Sequence, residues 1–362
     1  MNGADDKPKV RVLVVDDSPS CRELLVMLLD ADPRLQVVGH ADDGESAVQA
    51  AAALRPDVIT MDIHLPGLDG FAATRRIMET CPTRIIMVTS SSVPNEMAAS
   101  FEALACGALT VIGKPMGPMD PLFPAAREEL CRTVALMAEV AVVRRWPARR
   151  GTVPEPAPAQ AQAQAAAEVT HPARLRLVAV GASTGGPLAL HALLSVLVHG
   201  FSAPMVVVQH ISPGFGDGLV QWLGHSTGHP VRLPVDGERM QPGVVYVAPE
   251  GMHTAVRADG DVMLTDAPPE NGFRPAVGWL FRSVAAQFGA GAAGLLLTGM
   301  GADGAQELKA MREAGALTMV QDSRSAVVHG MPGAALRLHA ARHALPPEAM
   351  AQALNRLIPG RQ

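Results

Sequence analysis

Short apolar runs separated by amphipathic stretches set the rhythm of residues 10–145. Residues 10–15, 37–38, 57–61, 85–89 and 109–112 are rich in Val, Ile and Leu and read as strands, while 20–29 and 44–54 repeat apolar positions at helical spacing. Strands alternating with helices predict a doubly wound, parallel-sheet α/β domain. The rhythm stops in the Pro-, Ala- and Gln-rich stretch 146–173, which lacks the apolar surface needed to offset ordering entropy and reads as a flexible linker, with a transient helix expected over 159–167. It resumes over 174–362, with strands expected at 175–180, 205–209, 244–248, 261–264, 294–298 and 318–321 and a helix over 188–197. Turn signals at Pro249-Glu250-Gly251 and Ala258-Asp259-Gly260 predict a β-hairpin inserted over 243–265 in a second mostly parallel, Rossmann-like sheet.

Composition adds little to this picture but narrows the partners. With 362 residues, 48% of them apolar, the chain can build two cores. A net charge of −5, a pI near 6.2 and only 3% aromatic residues leave no basic field and few stacking rings, so no nucleic-acid partner is expected. The four cysteines form no CxxC pair, and reduced, buried thiols are expected. The first seven residues lack a signal-peptide pattern and no apolar run reaches membrane-spanning length, which predicts a cytoplasmic protein without membrane insertion.

The ends of the first-domain strands carry acids. Asp16 and Asp17 follow the first, Asp62 the third, Thr89 closes the fourth, and Lys114 follows the fifth. Carboxylates gathered at one sheet edge suit Mg2+, a hard ion that prefers oxygen ligands. A carboxylate there can also take up a phosphoryl group, whose oxygens Thr89 and Lys114 could bond. These residues, with Met61-Asp62-Ile63-His64-Leu65-Pro66-Gly67 and Lys114-Pro115, resemble the receiver domain of two-component response regulators. The resemblance implies a flavodoxin-like receiver over 9–145, phosphorylation at Asp62 by a histidine kinase phosphodonor, Mg2+ held by Asp16, Asp17 and Asp62, and Thr89 and Lys114 as switch residues. Val111 stands where receivers often carry a switching aromatic.

Three second-domain strands each end on one member of a Ser-His-Asp set. Gly181-Ala182-Ser183-Thr184-Gly185 fits G-x-S-x-G, in which small neighbours let a strained strand-to-helix turn expose a serine. Taken alone, the motif fits a phosphate-binding turn equally well. His210 follows the next strand and supplies a base with a pKa near working pH. Asp303 lies in the turn Gly299-Met300-Gly301-Ala302-Asp303-Gly304, where it could orient His210, with Asp217 and Asp322 as competing acids. The order Ser, His, Asp differs from the Ser, Asp, His order of α/β-hydrolases.

With a receiver in front, Gly181 to Gly186, Gln209-His210-Ile211-Ser212-Pro213-Gly214-Phe215, Thr298 to Gly304 and Gly330-Met331-Pro332 resemble the chemotaxis response-regulator protein-glutamate methylesterases. That family implies a methylesterase domain over 174–362 with Ser183 as nucleophile, His210 as base, Asp303 as orienter, and Thr184 and Met300 lining the site. The implied reaction is hydrolysis of glutamate γ-methyl esters on the cytoplasmic domains of methylated chemoreceptors, with glutamine deamidation as a second activity and no cofactor for either. The family also implies a receiver that covers the Ser183 edge until it is phosphorylated; a monomer is expected. Gly278 departs from the family by standing where an acidic residue usually follows Val. A receiver that only binds partners and a receptor-independent esterase or amidase are the competing classes.

Overall fold

The computed structural model describes residues 8–89, 101, 104, 106–121, 123–140 and 163–358. The chain divides into two units, 1–151 and 152–362. The first seven residues and linker residues 146–162 lie outside the described residues.

In the first unit β1 (Val10–Val15), α1 (Pro19–Asp30), β2 (Leu35–Ala41), α2 (Gly44–Leu54), β3 (Val58–Met61), α3 (Gly70–Thr80), β4 (Arg84–Thr89), β5 (Thr110–Gly113) and α4 (Phe123–Met137) follow the predicted alternation. The five strands run parallel in the order β2-β1-β3-β4-β5. This flavodoxin-like order reverses between β1 and β3, and the carboxyl ends flanking that switch point form the crevice where such sheets bind ligands. The helix starts are locally encoded: Asp43 caps α2 by accepting from the Ser46 amide at 2.8 Å, and Asp69 caps α3 by accepting from the Ala72 amide at 2.8 Å. All four β3 residues are buried, as a central strand covered on both faces requires.

The second unit comprises β6 (Leu177–Ala182), α5 (Gly186–Val196), β7 (Met205–Gln209), α6 (Gly216–Thr227), β8 (Val231–Arg232), β9 (Val245–Val247), β10 (His253–Val256), β11 (Val262–Thr265), α7 (Val277–Phe288), β12 (Ala292–Leu296), α8 (Ala305–Glu313), β13 (Leu317–Gln321), α9 (Gly330–Arg337), β14 (His343–Leu345) and α10 (Pro347–Leu357). Seven strands form one parallel sheet in the order β14-β13-β12-β6-β7-β9-β8. From β6 the chain winds outward through β7 and β9, then returns to β12 on the other side of β6. The switch point therefore lies between β6 and β12.

Two expectations are corrected here. The hairpin is β10 with β11, an antiparallel pair in its own two-stranded sheet, while β9 belongs to the main sheet. Val245, Tyr246 and Val247 are all buried, the mark of a strand covered on both faces, and adjacent turn signals could not separate that strand from the hairpin. The linker is also shorter at its carboxyl end than 173. Residues 163–167 are helical, Ala166 and Val169 are buried, and His171 Nε2 lies 2.7 Å from the Ala290 carbonyl oxygen, so this stretch packs on the second unit. Among the described residues no helix is long and apolar enough to cross a membrane.

Candidate active site

Ser183 leaves the end of β6 through an elbow whose turn requires glycine: Gly185 adopts φ +78, a conformation that costs a residue with a Cβ. The β6–β7 register pairs Ala182 with Gln209, so Ser183 and His210 are the next residues along the two strands. The His210 amide donates to the Ala182 carbonyl at 2.9 Å, and on the opposite flank the Ser183 amide donates to the Thr298 carbonyl at 3.0 Å. Ser183 thus sits at the β6/β12 switch point, half-buried.

Asp303 comes to the same edge from the turn between β12 and α8. Its Oδ2 lies 2.9 Å from His210 Nε2, and Nδ1 on the other side of the ring is buried without a hydrogen-bond partner among the described residues. The carboxylate also accepts from the amides of Val277 at 2.7 Å and Gly278 at 3.0 Å, the first residues of α7. Burial pushes the Asp303 carboxyl up, but the His210 contact and the two amide bonds outweigh it and hold the group below the ordinary carboxylate range. The competing acids are placed elsewhere: Asp322 caps its own turn by accepting from the amide and hydroxyl of Ser325, and Asp217 lies in the first turn of α6.

Thr184 and Met300 border the same edge. The Thr184 carbonyl accepts from the Thr298 hydroxyl at 3.0 Å. A Cβ on Gly299 would lie 2.7 Å from Ser183 Cβ, which sets the Met300 turn directly against the serine.

Two neighbours escaped the sequence reading. Phe273 stacks on His210 with ring centroids 4.1 Å apart and planes 2° from parallel, fixing the plane of the imidazole. Its only sequence signal was a lone aromatic in a loop of polar residues. Gln209 lies in the Gln209-His210 segment, and nothing in the sequence marks a role for it. At Gly278, a Cβ would meet the Glu307 carboxyl carbon at 3.0 Å and Asp303 Oδ1 at 3.3 Å. The space beside this glycine is occupied by the Glu307 carboxylate, which pairs with Arg282 at 3.3 Å, so a negative charge is present here from another helix.

At the first-unit switch point Asp16, Asp17 and Asp62 place one carboxylate oxygen each within 4.8 Å of one another. Lys114 Nζ lies 2.8 Å from Asp16 Oδ2 and 2.6 Å from Asp62 Oδ2, and the Lys114 amide donates to the carbonyl of buried Thr89 at 2.8 Å. Burial raises the Asp16 carboxyl pKa beyond what Lys114 restores, and the nearby Asp62 adds to the rise. For Lys114 burial works against the charge, yet the two carboxylates raise its pKa overall and keep it an ammonium. Val111 is buried in β5 opposite Met87.

Comparison with known proteins agrees with both halves. Residues 12–122 match the response regulator receiver domain family, and residues 178–354 match the CheB methylesterase family. The chain is 49% identical to a protein-glutamate methylesterase/protein-glutamine glutaminase of Geobacter metallireducens, over 96% of this chain and 99% of that protein. Proteins of the same name from Syntrophus aciditrophicus and Nitrosospira multiformis are 47% and 46% identical, each over 96% of this chain and at least 97% of theirs. In class, the chain is a response regulator whose output domain is a hydrolase. It belongs to the CheB methylesterase family of two-domain proteins.

Proposed function

We propose that the protein hydrolyses glutamate γ-methyl esters on chemoreceptor cytoplasmic domains, and deamidates receptor glutamines, under control of Asp62 phosphorylation. The convergence of Ser183, His210 and Asp303 on one strand-end edge carries this reading. Ser183 Oγ attacks the ester carbonyl while His210 Nδ1 takes its proton, and Asp303 stabilises the imidazolium. Main-chain amides around Thr184 and Met300 are the candidate donors to the oxyanion. His210 returns the proton to the methoxide, methanol departs, and an acyl-enzyme remains. Water, deprotonated by His210, then releases glutamate and restores Ser183. With glutamine the same acyl-enzyme forms as ammonia leaves.

In the first unit, Asp62 receives the phosphoryl group from a histidine kinase. The Asp16, Asp17 and Asp62 oxygens fit Mg2+ in number, charge and hardness, and when bound the ion would offset phosphoryl charge. Lys114, whose ammonium pairs with Asp16 and Asp62, would bond the phosphoryl oxygens, with the Thr89 hydroxyl at the neighbouring strand end. Three carboxylates, two of them buried, face a single ammonium here, so Mg2+ at a hundredfold excess over its Kd should stabilise this unit by about 2.7 kcal/mol. Thermal unfolding of the full chain with increasing Mg2+ checks this, with an Asp16→Asn variant expected to show no shift.

Methanol release from methylated receptor membranes, with and without a small phosphodonor, tests the reading directly. Wild type should be accelerated by the phosphodonor, and Asp62→Asn should keep its basal rate and lose the acceleration. Release that is unaffected by Ser183→Ala would defeat the assignment. A cytoplasmic, monomeric protein without nucleic-acid partners remains the expectation.

A further inference from the structure

The last residue of β7 joins the two reacting segments through its side chain. Gln209 is 4% exposed, and its Nε2 donates to the Ser183 carbonyl at 2.8 Å and to the His210 carbonyl at 2.7 Å. Both acceptors are carbonyl oxygens, so the amide can sit only with its nitrogen toward them. The other end, Oε1, is buried without a hydrogen-bond partner among the described residues. It rests against Gly186, the first residue of α5, where a Cβ would fall 1.9 Å from it. The Gly186 amide meanwhile donates to the same Ser183 carbonyl at 2.7 Å.

A buried amide oxygen left unpaired is costly and calls for a reason. An apolar side chain of the same length would fill this space without that cost, but it could not hold the two carbonyls. The last main-chain bond between β6 and β7 runs from the His210 amide to the Ala182 carbonyl, and among the described residues none joins Ser183 to His210. We infer that Gln209 is a positioning residue: it bridges the Ser183 and His210 carbonyls and so sets how the serine hydroxyl and imidazole meet, with Gly186 kept free of a side chain to admit it. The inference rests on Ser183 and His210 acting as nucleophile and base.

The test uses the full chain with methylated receptor membranes, comparing wild type with Gln209→Met, which keeps length and burial but has no donor, and Gln209→Glu, which sets carboxylate oxygens against the carbonyls. A misplacement of about 1 Å between reacting groups costs about 10²-fold. Gln209→Met should therefore lose about 10²-fold in kcat, with KM within threefold and the thermal midpoint little changed. The rate of Ser183 sulfonylation by phenylmethylsulfonyl fluoride should fall in parallel. Gly186→Ala, which displaces the amide, should show the same kinetic loss, and the double variant with Gln209→Met should be no worse than either. A Gln209→Met enzyme within threefold of wild-type kcat would overturn the inference, as would a loss of activity no larger than the loss of folded protein. Ser183→Ala in the same assay separates the two failures: if it stays active, the nucleophile assignment fails; if it is dead while Gln209→Met is fully active, only the positioning role fails.

Discussion

Ser183→Ala is expected to lower kcat for methanol release by about 10⁵- to 10⁶-fold, close to 8 kcal/mol of transition-state stabilisation at the upper figure. The hydroxyl is the atom that forms the acyl-enzyme, and neither His210 nor the edge amides can replace it. His210→Ala should cost nearly as much, and the double variant little more than either, because nucleophile and base act as one unit. Ser183 is half-buried at a turn whose geometry depends on Gly185, so removing one oxygen leaves folding intact. Steady-state methanol release with the thermal midpoint as control checks both statements. A residual rate within tenfold of wild type would mean that another group starts the reaction.

Asp303→Asn is expected to lower kcat by about 10³- to 10⁴-fold. The side chain has three donors to satisfy: the Val277 and Gly278 amides and His210 Nε2, whose contact is 2.9 Å. A carboxylate accepts from all three. Val277 and Nε2 share Oδ2 whereas Gly278 holds Oδ1, so a carboxamide whose oxygen stays on the Gly278 amide presents its NH2 to Nε2, and the imidazole proton moves to Nδ1. That nitrogen can then no longer accept from Ser183. A pH effect follows from the same contacts. Asp303 is held below its unfolded value of about 3.9, so its stabilisation is fully present above that pH and is lost as pH falls through the lower folded value. Unfolding free energy measured between about pH 4 and pH 2 should therefore decline less steeply in Asp303→Asn than in wild type. Equal slopes would show that the carboxylate is not held by these partners.

What could be read from the chain depended on how local each signal was. Central strands such as β6 and β7 announce themselves because a parallel strand covered on both faces is a nearly unbroken apolar run. The edge strands β8 and β14, of two and three residues, are too short to carry any period. Ser183 and His210 were legible as strand-end residues in glycine-rich or polar turns. Asp303 needed the structure, since the distance from His210 and the α7 amides separates it from Asp217 and Asp322. Phe273 and Gln209 were opaque for a different reason: a ring stacked across a loop and an amide bridging two carbonyls exist only after the sheet has closed. At Gly278 the local reading noticed a missing charge, whereas Glu307 returns one from 29 positions later.

The switch point between β6 and β12 divides the reacting residues between two halves of a sheet. Ser183 and His210 come from the half built before the β10–β11 hairpin, and Asp303 from the half built after it. The exposed turn at Ala258 and Asp259 separates the two stretches of sequence. Neither stretch owns a complete site, and the pairing of β12 with β6 creates one. Catalysis by this domain is thus a property of the closed sheet, so turnover also reports, molecule by molecule, whether its two halves are joined.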